Sequence, residues 1–105
     1  MEVRLQQPRD RKCDAYIIDL DDRYLVRPSV VSLKKHDPFI ICNLTNQLAH
    51  VDLRNLGGPS FDLQAGQWAA VDLDPNRAPK AYHYEVFVGG RRAHAESDPV
   101  IIIDP

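Results

Sequence analysis

The sequence predicts an all-β domain, a sandwich or barrel of short strands. Three observations carry that expectation: turn-forming clusters recur at short intervals, the runs between them are rich in β-branched and aromatic residues, and no long stretch keeps a helical period. At 105 residues there is room for one compact domain, spanning residues 1–105. A chain of that size buries roughly two thirds of its unfolded surface, so one core is expected.

The turns come first, because they divide the chain. Asp19–Arg23, His36-Asp37-Pro38, Asn43–Asn46, Gly57-Gly58-Pro59-Ser60, Ala65-Gly66, Asp74-Pro75-Asn76, Gly89-Gly90 and Ser97-Asp98-Pro99 all combine Gly, Pro, Asn, Asp or Ser in the manner of tight reversals. The segment Leu44–Leu48 is the one place where a helical turn is tempting, and it is too short and polar to be read as a helix.

The strands follow from alternation. Val31 and Leu33 share one face, as do Phe39 and Ile41, while Ala49, Val51 and Leu53 oppose His50, Asp52 and Arg54. Ala69, Val71 and Leu73 fall on the inner side of their strand, leaving Trp68, Ala70 and Asp72 outward. Tyr82, Tyr84, Val86 and Val88 form one inward row, with His83 and Glu85 on the other side. Gly89-Gly90 reverses the chain, and Val100–Ile103 reads as a strand apolar on both faces, placed inside a sheet.

Composition excludes several classes of function. Hydrophobic residues at 44% and charged residues at 27% are those of a soluble globular protein. The longest apolar runs are far too short to span a bilayer. A formal net charge of −2 creates no field for nucleic acid or anionic lipid, and the basic cluster Arg9–Lys12 is broken by Asp10. The first residues lack the apolar core and cleavage site of a secretory leader, which gives the expectation of a cytoplasmic protein. Cys13 and Cys42 have no metal-like spacing; reduced thiols are expected, with a single bridge as the alternative in an oxidising compartment.

Three stretches carry a family pattern. Arg27–Asn43 runs from a proline through a valine-rich strand, a turn at His36-Asp37 and an apolar strand to Asn43; Phe61–Gly66 ends in an Ala-Gly turn; Tyr82-His83-Tyr84-Glu85-Val86 is a third element. From Val26 onward, about three quarters of the chain, their order and spacing resemble the cupredoxin family. The resemblance implies a Greek-key β-sandwich of seven or eight strands, and a copper held by two histidines, a cysteine and often a methionine at one end. The same resemblance puts Val86 in the cysteine position, Gly89 or a neighbour in the second histidine position, and either Ala49 or His50 in the first. No cysteine follows Cys42 and no methionine follows Met1, so type 1 copper is not expected. The family gives its asparagine a loop-tying role, which passes to Asn43.

Other chemistry has less behind it. His50 with Asp52, and His83 with Glu85, could each offer an imidazole and a carboxylate to zinc, but the ordinary reading is a polar outward strand face. A copper or zinc site rebuilt from His50, His83 and His94 is the alternative to a domain without cofactor. Ser29, Ser32, Ser60 and Ser97 lack a nucleophile-elbow context, Cys42 falls within an apolar strand, and no phosphate-cradling loop precedes a helix, so no enzyme is expected. Asn43-Leu44-Thr45 matches a glycosylation tripeptide by coincidence. What is left is surface. Trp68 as an outward anchor, with Arg91 and Arg92 as a basic hairpin tip, gives the candidate contact with a protein partner; the alternative is a Trp68 that covers a neighbouring loop or the N-terminal segment, and a tip that is only a solubilising turn.

Overall fold

A computed structural model describes residues 3–6, 13–21, 23–34, 36–73, 78–93 and 99–104. The described residues form twelve strand segments: β1 (Val3–Gln6), β2 (Ala15–Leu20), β3 (Arg23–Arg27), β4 (Val30–Lys34), β5 (Phe39–Asn43), β6 (Ala49–Asp52), β7 (Ser60–Leu63), β8 (Trp68–Val71), β9 (Ala81–His83), β10 (Glu85–Val88), β11 (Arg91–Arg92) and β12 (Val100–Asp104). They build a five-stranded sheet in the order β1-β8-β5-β2-β3, a four-stranded sheet β11-β10-β6-β7, and a three-stranded sheet β4-β12-β9. The fold is a sandwich-like all-β arrangement, as the turn spacing predicts.

The segments outnumber the seven or eight expected, and one predicted run is split between two sheets. At Tyr84 the chain leaves the three-stranded sheet, where β9 pairs with β12, and joins the four-stranded sheet, where β10 pairs with β6. The Tyr84 amide donates to the Pro99 carbonyl (3.0 Å) at this crossing, so the backbone stays hydrogen-bonded between sheets. The inward row survives the break: Tyr82, Tyr84, Val86 and Val88 are all buried. Segment Leu44–Leu48 is not helical, as expected; the single 3-10 turn among the described residues lies instead at Arg54–Leu56, which no periodicity signalled. It buries Leu56 beneath the connection from β6 to β7.

One apolar cluster takes residues from all three sheets, among them Ile17, Phe39, Ile41, Val51, Val86, Ile101 and Leu63. Each such side chain contributes about 1.5–3 kcal/mol on burial, which is where this fold gets its stability. Phe39 and Tyr84 meet edge to face, with ring centres 5.4 Å apart and planes at 68°. β12 is central in its sheet, parallel to β4 and antiparallel to β9. Only its Ile101 and Ile103 side is fully buried; Val100 and Ile102 are half-exposed, so the strand is less enclosed than its unbroken apolar run suggests.

Asn43 is the polar exception in the interior. Completely buried at the end of β5, its amide nitrogen donates to the carbonyls of Gln47 (2.8 Å), Leu63 (3.0 Å) and Gln64 (3.3 Å). Its amide oxygen accepts from the backbone N–H of Thr45 (3.0 Å) and from Thr45 Oγ1 (2.7 Å). The backbone joins in, with the Asn43 N–H donating to Gln67 O and its carbonyl accepting from the Gly66 N–H, each at 2.8 Å. One residue thus closes two loops against each other, the loop-tying role that the family resemblance implied. The same burial keeps the Asn43-Leu44-Thr45 tripeptide out of reach of a glycosyl donor in the folded chain.

Two stability measurements follow. Asn43→Ala strands several buried carbonyls and an N–H, and is expected to cost about 3 kcal/mol or more in urea unfolding. Tyr84 behaves oppositely. Its hydroxyl is buried without a hydrogen-bond partner among the described residues, and burial pushes its pKa up. Tyr84→Phe removes that hydroxyl and keeps the ring against Phe39, so it is expected to raise stability by about 1 kcal/mol in the same assay.

Candidate functional site

The positions that the sequence resemblance assigns to copper ligands carry hydrocarbon. Val86 faces Val51 across the β10–β6 pair and Val88 faces Ala49, and all four are completely buried. Gly89 follows with φ of 57°, and a Cβ added there would lie 2.8 Å from Gln47 Oε1. A histidine at 89 would meet both a left-handed backbone and a crowded neighbour. None of Val86, Ala49 or Gly89 carries a donor atom, so the residues present do not fit a type 1 copper ion. The choice between Ala49 and His50 for the inward position is settled by the pleat: Ala49 is inside and His50 outside.

On the outer face of the four-stranded sheet, the polar members of the same strands meet. β6 and β7 form an antiparallel pair in which His50 faces Asp62 and Asp52 faces Ser60. His50 Nδ1 lies 2.8 Å from Asp62 Oδ1, and its Nε2 lies 2.9 Å from Ser60 Oγ. With Asp62 ionised, Nδ1 carries the proton, and neutral imidazole accepts the Ser60 hydroxyl at Nε2. The order Ser–His–Asp is that of an acyl-transfer triad, but its setting is wrong for one. Side-chain exposures of 43% for His50 and 60% for Asp62 leave the trio open to water. The carboxylate of Asp52, opposite Ser60, would oppose an oxyanion rather than stabilise it.

The neighbouring row is also charged. Asp52 lies between Ser60 on β7 and Glu85 on β10. The Arg54 guanidinium grips Asp52 with both prongs, Nε donating to Oδ1 (2.9 Å) and Nη2 to Oδ2 (2.7 Å), while the Arg54 N–H adds a third bond to Oδ1 (3.0 Å). These hydrogen bonds hold the Asp52 carboxyl below its usual pKa against a smaller opposing effect of desolvation. Asp52, Arg54, Asn55 and Glu85 line an open depression of about 260 Å³. Asn55 Nδ2 also donates to the His83 carbonyl (3.0 Å), tying the 3-10 turn to β9.

The expected site residues separate on this framework. Arg91 and Arg92 are exposed on β11, just after the Gly89-Gly90 reversal, with Arg92 Nε 3.6 Å from Glu85 Oε2. Trp68 does point away from Ala69 and Val71, but it is not the exposed anchor expected of it. At 8% exposure it is buried in a second apolar cluster with Cys13, Cys42 and Ala70, against which Tyr16 and Ile40 pack. The five-stranded sheet is apolar on both faces here, which alternation along one strand could not reveal. His83 is exposed on β9 in a different sheet from His50, and His94 lies outside the described residues. Among the described residues, no three His, Cys, Asp or Glu side chains converge to hold a metal ion. No described helix is long and apolar enough to cross a membrane.

The His50–Ser60–Asp62 trio was missed in the sequence, although a signal was present. His50 and Asp62 are equally spaced about Leu56, as are Asp52 and Ser60, so a hairpin centred there brings both pairs together.

No family model matches this chain. No curated protein matches it either.

The Asp52–Arg54 grip gives a pH prediction. Because the folded pKa of Asp52 is depressed, its stabilising effect is complete above the ordinary carboxylate value of about 3.9. It is lost as pH falls through the folded value. In Arg54→Ala the Asp52 carboxyl is expected to titrate at higher pH, read by carbon-detected NMR. The variant should also show a shallower loss of stability than wild type on acidification below about pH 4.

Proposed function

We propose that this chain is a cupredoxin-like, Greek-key β-sandwich without copper that serves as a non-catalytic binding module for a protein partner. The observation that carries this reading is the division of β6 and β10 into two unlike faces. Their inward residues, Ala49, Val51, Val86 and Val88, are completely buried hydrocarbon at the position where the family keeps its metal. Their outward residues His50, Asp52 and Glu85, with Ser60, Asp62 and Arg54, make a largely polar face around Phe87, in which charges pair across strands. Such a face recognises a partner by charge pattern, which gives specificity more than raw affinity.

The β11 tip completes the surface. Arg91 and Arg92 follow a two-glycine reversal and stand exposed beside Glu85, a rigid place from which guanidinium groups can reach carboxylates. The partner element at this tip is therefore acidic. Burial of Trp68 assigns that residue to holding the domain together, not to the contact. In this reading Cys13 and Cys42 rest as thiols, as suits a reducing compartment, the cytoplasm.

Parallel affinity capture with the wild-type chain and an Arg91→Ala/Arg92→Ala variant tests the reading. Both side chains are exposed, so the variant is expected to melt within a few degrees of wild type. Recovery of the partner should fall at least about tenfold, roughly 1.4 kcal/mol of binding. A partner retained equally by both proteins would remove the β11 tip from the interface.

A further inference from the structure

Cys13 and Cys42 lie far apart in the sequence, yet the fold seats them together on the outer side of the five-stranded sheet. β2 and β5 run parallel, with Tyr16 beside Cys42. Just before β2, the Asp14 N–H donates to the Ile40 carbonyl and the Ile40 N–H donates to Asp14 Oδ2, each at 2.8 Å. The Cys13 N–H is fixed by Tyr16 Oη at 2.9 Å. These bonds hold the entry to β2 against β5, and both cysteine side chains belong to the same small apolar cluster. Neither is in a disulfide. The pair shares its cluster with Trp68, which faces Cys42 across the β5–β8 pair. The pair is more than two buried cysteines: both side chains sit in one four-residue cluster, the backbone on both sides is anchored, and an aromatic reporter shares that cluster.

We infer that Cys13 and Cys42 form a reversible intramolecular disulfide on reaction with a small-molecule disulfide, stapling the entry of β2 to β5. The proposal is independent of the partner-binding reading. Cys13 is the attacking group, because Cys42 is more deeply buried, at 1% exposure against 5%. Burial also pushes the Cys42 thiol up, which disfavours its thiolate as the first nucleophile. The Cys13 thiol loses its proton and its sulfur attacks one sulfur of the small disulfide. The old S–S bond breaks, a mixed disulfide forms, and one small thiol leaves. Cys42 then gives up its proton as its sulfur attacks Cys13 Sγ, breaking the mixed disulfide and releasing the second small thiol. The two protein thiols are oxidised, and one small disulfide is reduced to two thiols. The final bond of about 2.0 Å requires the two sulfurs to approach each other within the cluster they share.

Oxidised glutathione added to the folded full-length chain is the test. Wild type is expected to lose both alkylatable thiols, keep no glutathione, and give a peptide map joining residue 13 to residue 42. Trp68 emission should fall, since a neighbouring disulfide quenches indole, and should recover with dithiothreitol. Cys42→Ser lacks the resolving sulfur and is expected to retain one glutathione on Cys13. Wild-type protein that keeps bound glutathione, forms dimers between chains, or leaves both cysteines alkylatable would overturn the inference. The wild-type peptide map decides the question even if Cys42→Ser does not fold.

Discussion

Asn43 is the constraint on which the loop end of this sandwich depends. A sandwich of short strands can bury hydrocarbon in many registers, because apolar contact has little direction. A buried amide with three carbonyls on its nitrogen and two Thr45 donors on its oxygen has one geometry. That geometry fixes the end of β5, the loop after it and the turn between β7 and β8 as one unit. β6 and β7 leave this unit in register, and from their register comes the facing of His50 with Asp62 and of Asp52 with Ser60. The polar surface on one side of the sheet is therefore set by a hydrogen-bond knot at its end.

The alternation along β6 and β10 does the rest. Each strand contributes every second residue to the core and the others to water, so interior and exterior change independently. Val86 and Ala49 make this part of the core packed hydrocarbon, while the pleat presents His50, Asp52, Glu85 and Phe87 on the other face. Here the inward positions contribute cohesion, and any distinguishing chemistry lies outward.

Much of this was legible in the sequence, because period-two burial is local. The inward rows Val31 with Leu33, Phe39 with Ile41, Ala49 with Val51, and Tyr82 through Val88 all lie where alternation puts them. The break at Tyr84 was not legible: the side chain keeps the inward pattern while the backbone changes sheets. Trp68 failed as an exposed anchor for a related reason. Alternation says which side of a strand a residue occupies, and not whether that side is covered. The nearness of Cys13 to Cys42 depends on a parallel pair between β2 and β5, which has no local signature at all. His50, Asp62 and Ser60 form an intermediate case, in which hairpin symmetry encodes the pairing but composition gives no reason to look for it.

The central place of β12 has a consequence for the order in which the molecule comes together. β4 and β9 meet only through β12, whose residues pair with positions near the start and near the end of the preceding chain. Until residues 100–104 are in place, both neighbours are unpaired edges, and the inward side of Tyr82, Val31 and Leu33 has no Ile101 or Ile103 to fill the layer between them. During synthesis the nascent chain must therefore carry an open, aggregation-prone side until β12 clears the ribosome, whereas the hairpin of β6 and β7 can pair as soon as it emerges.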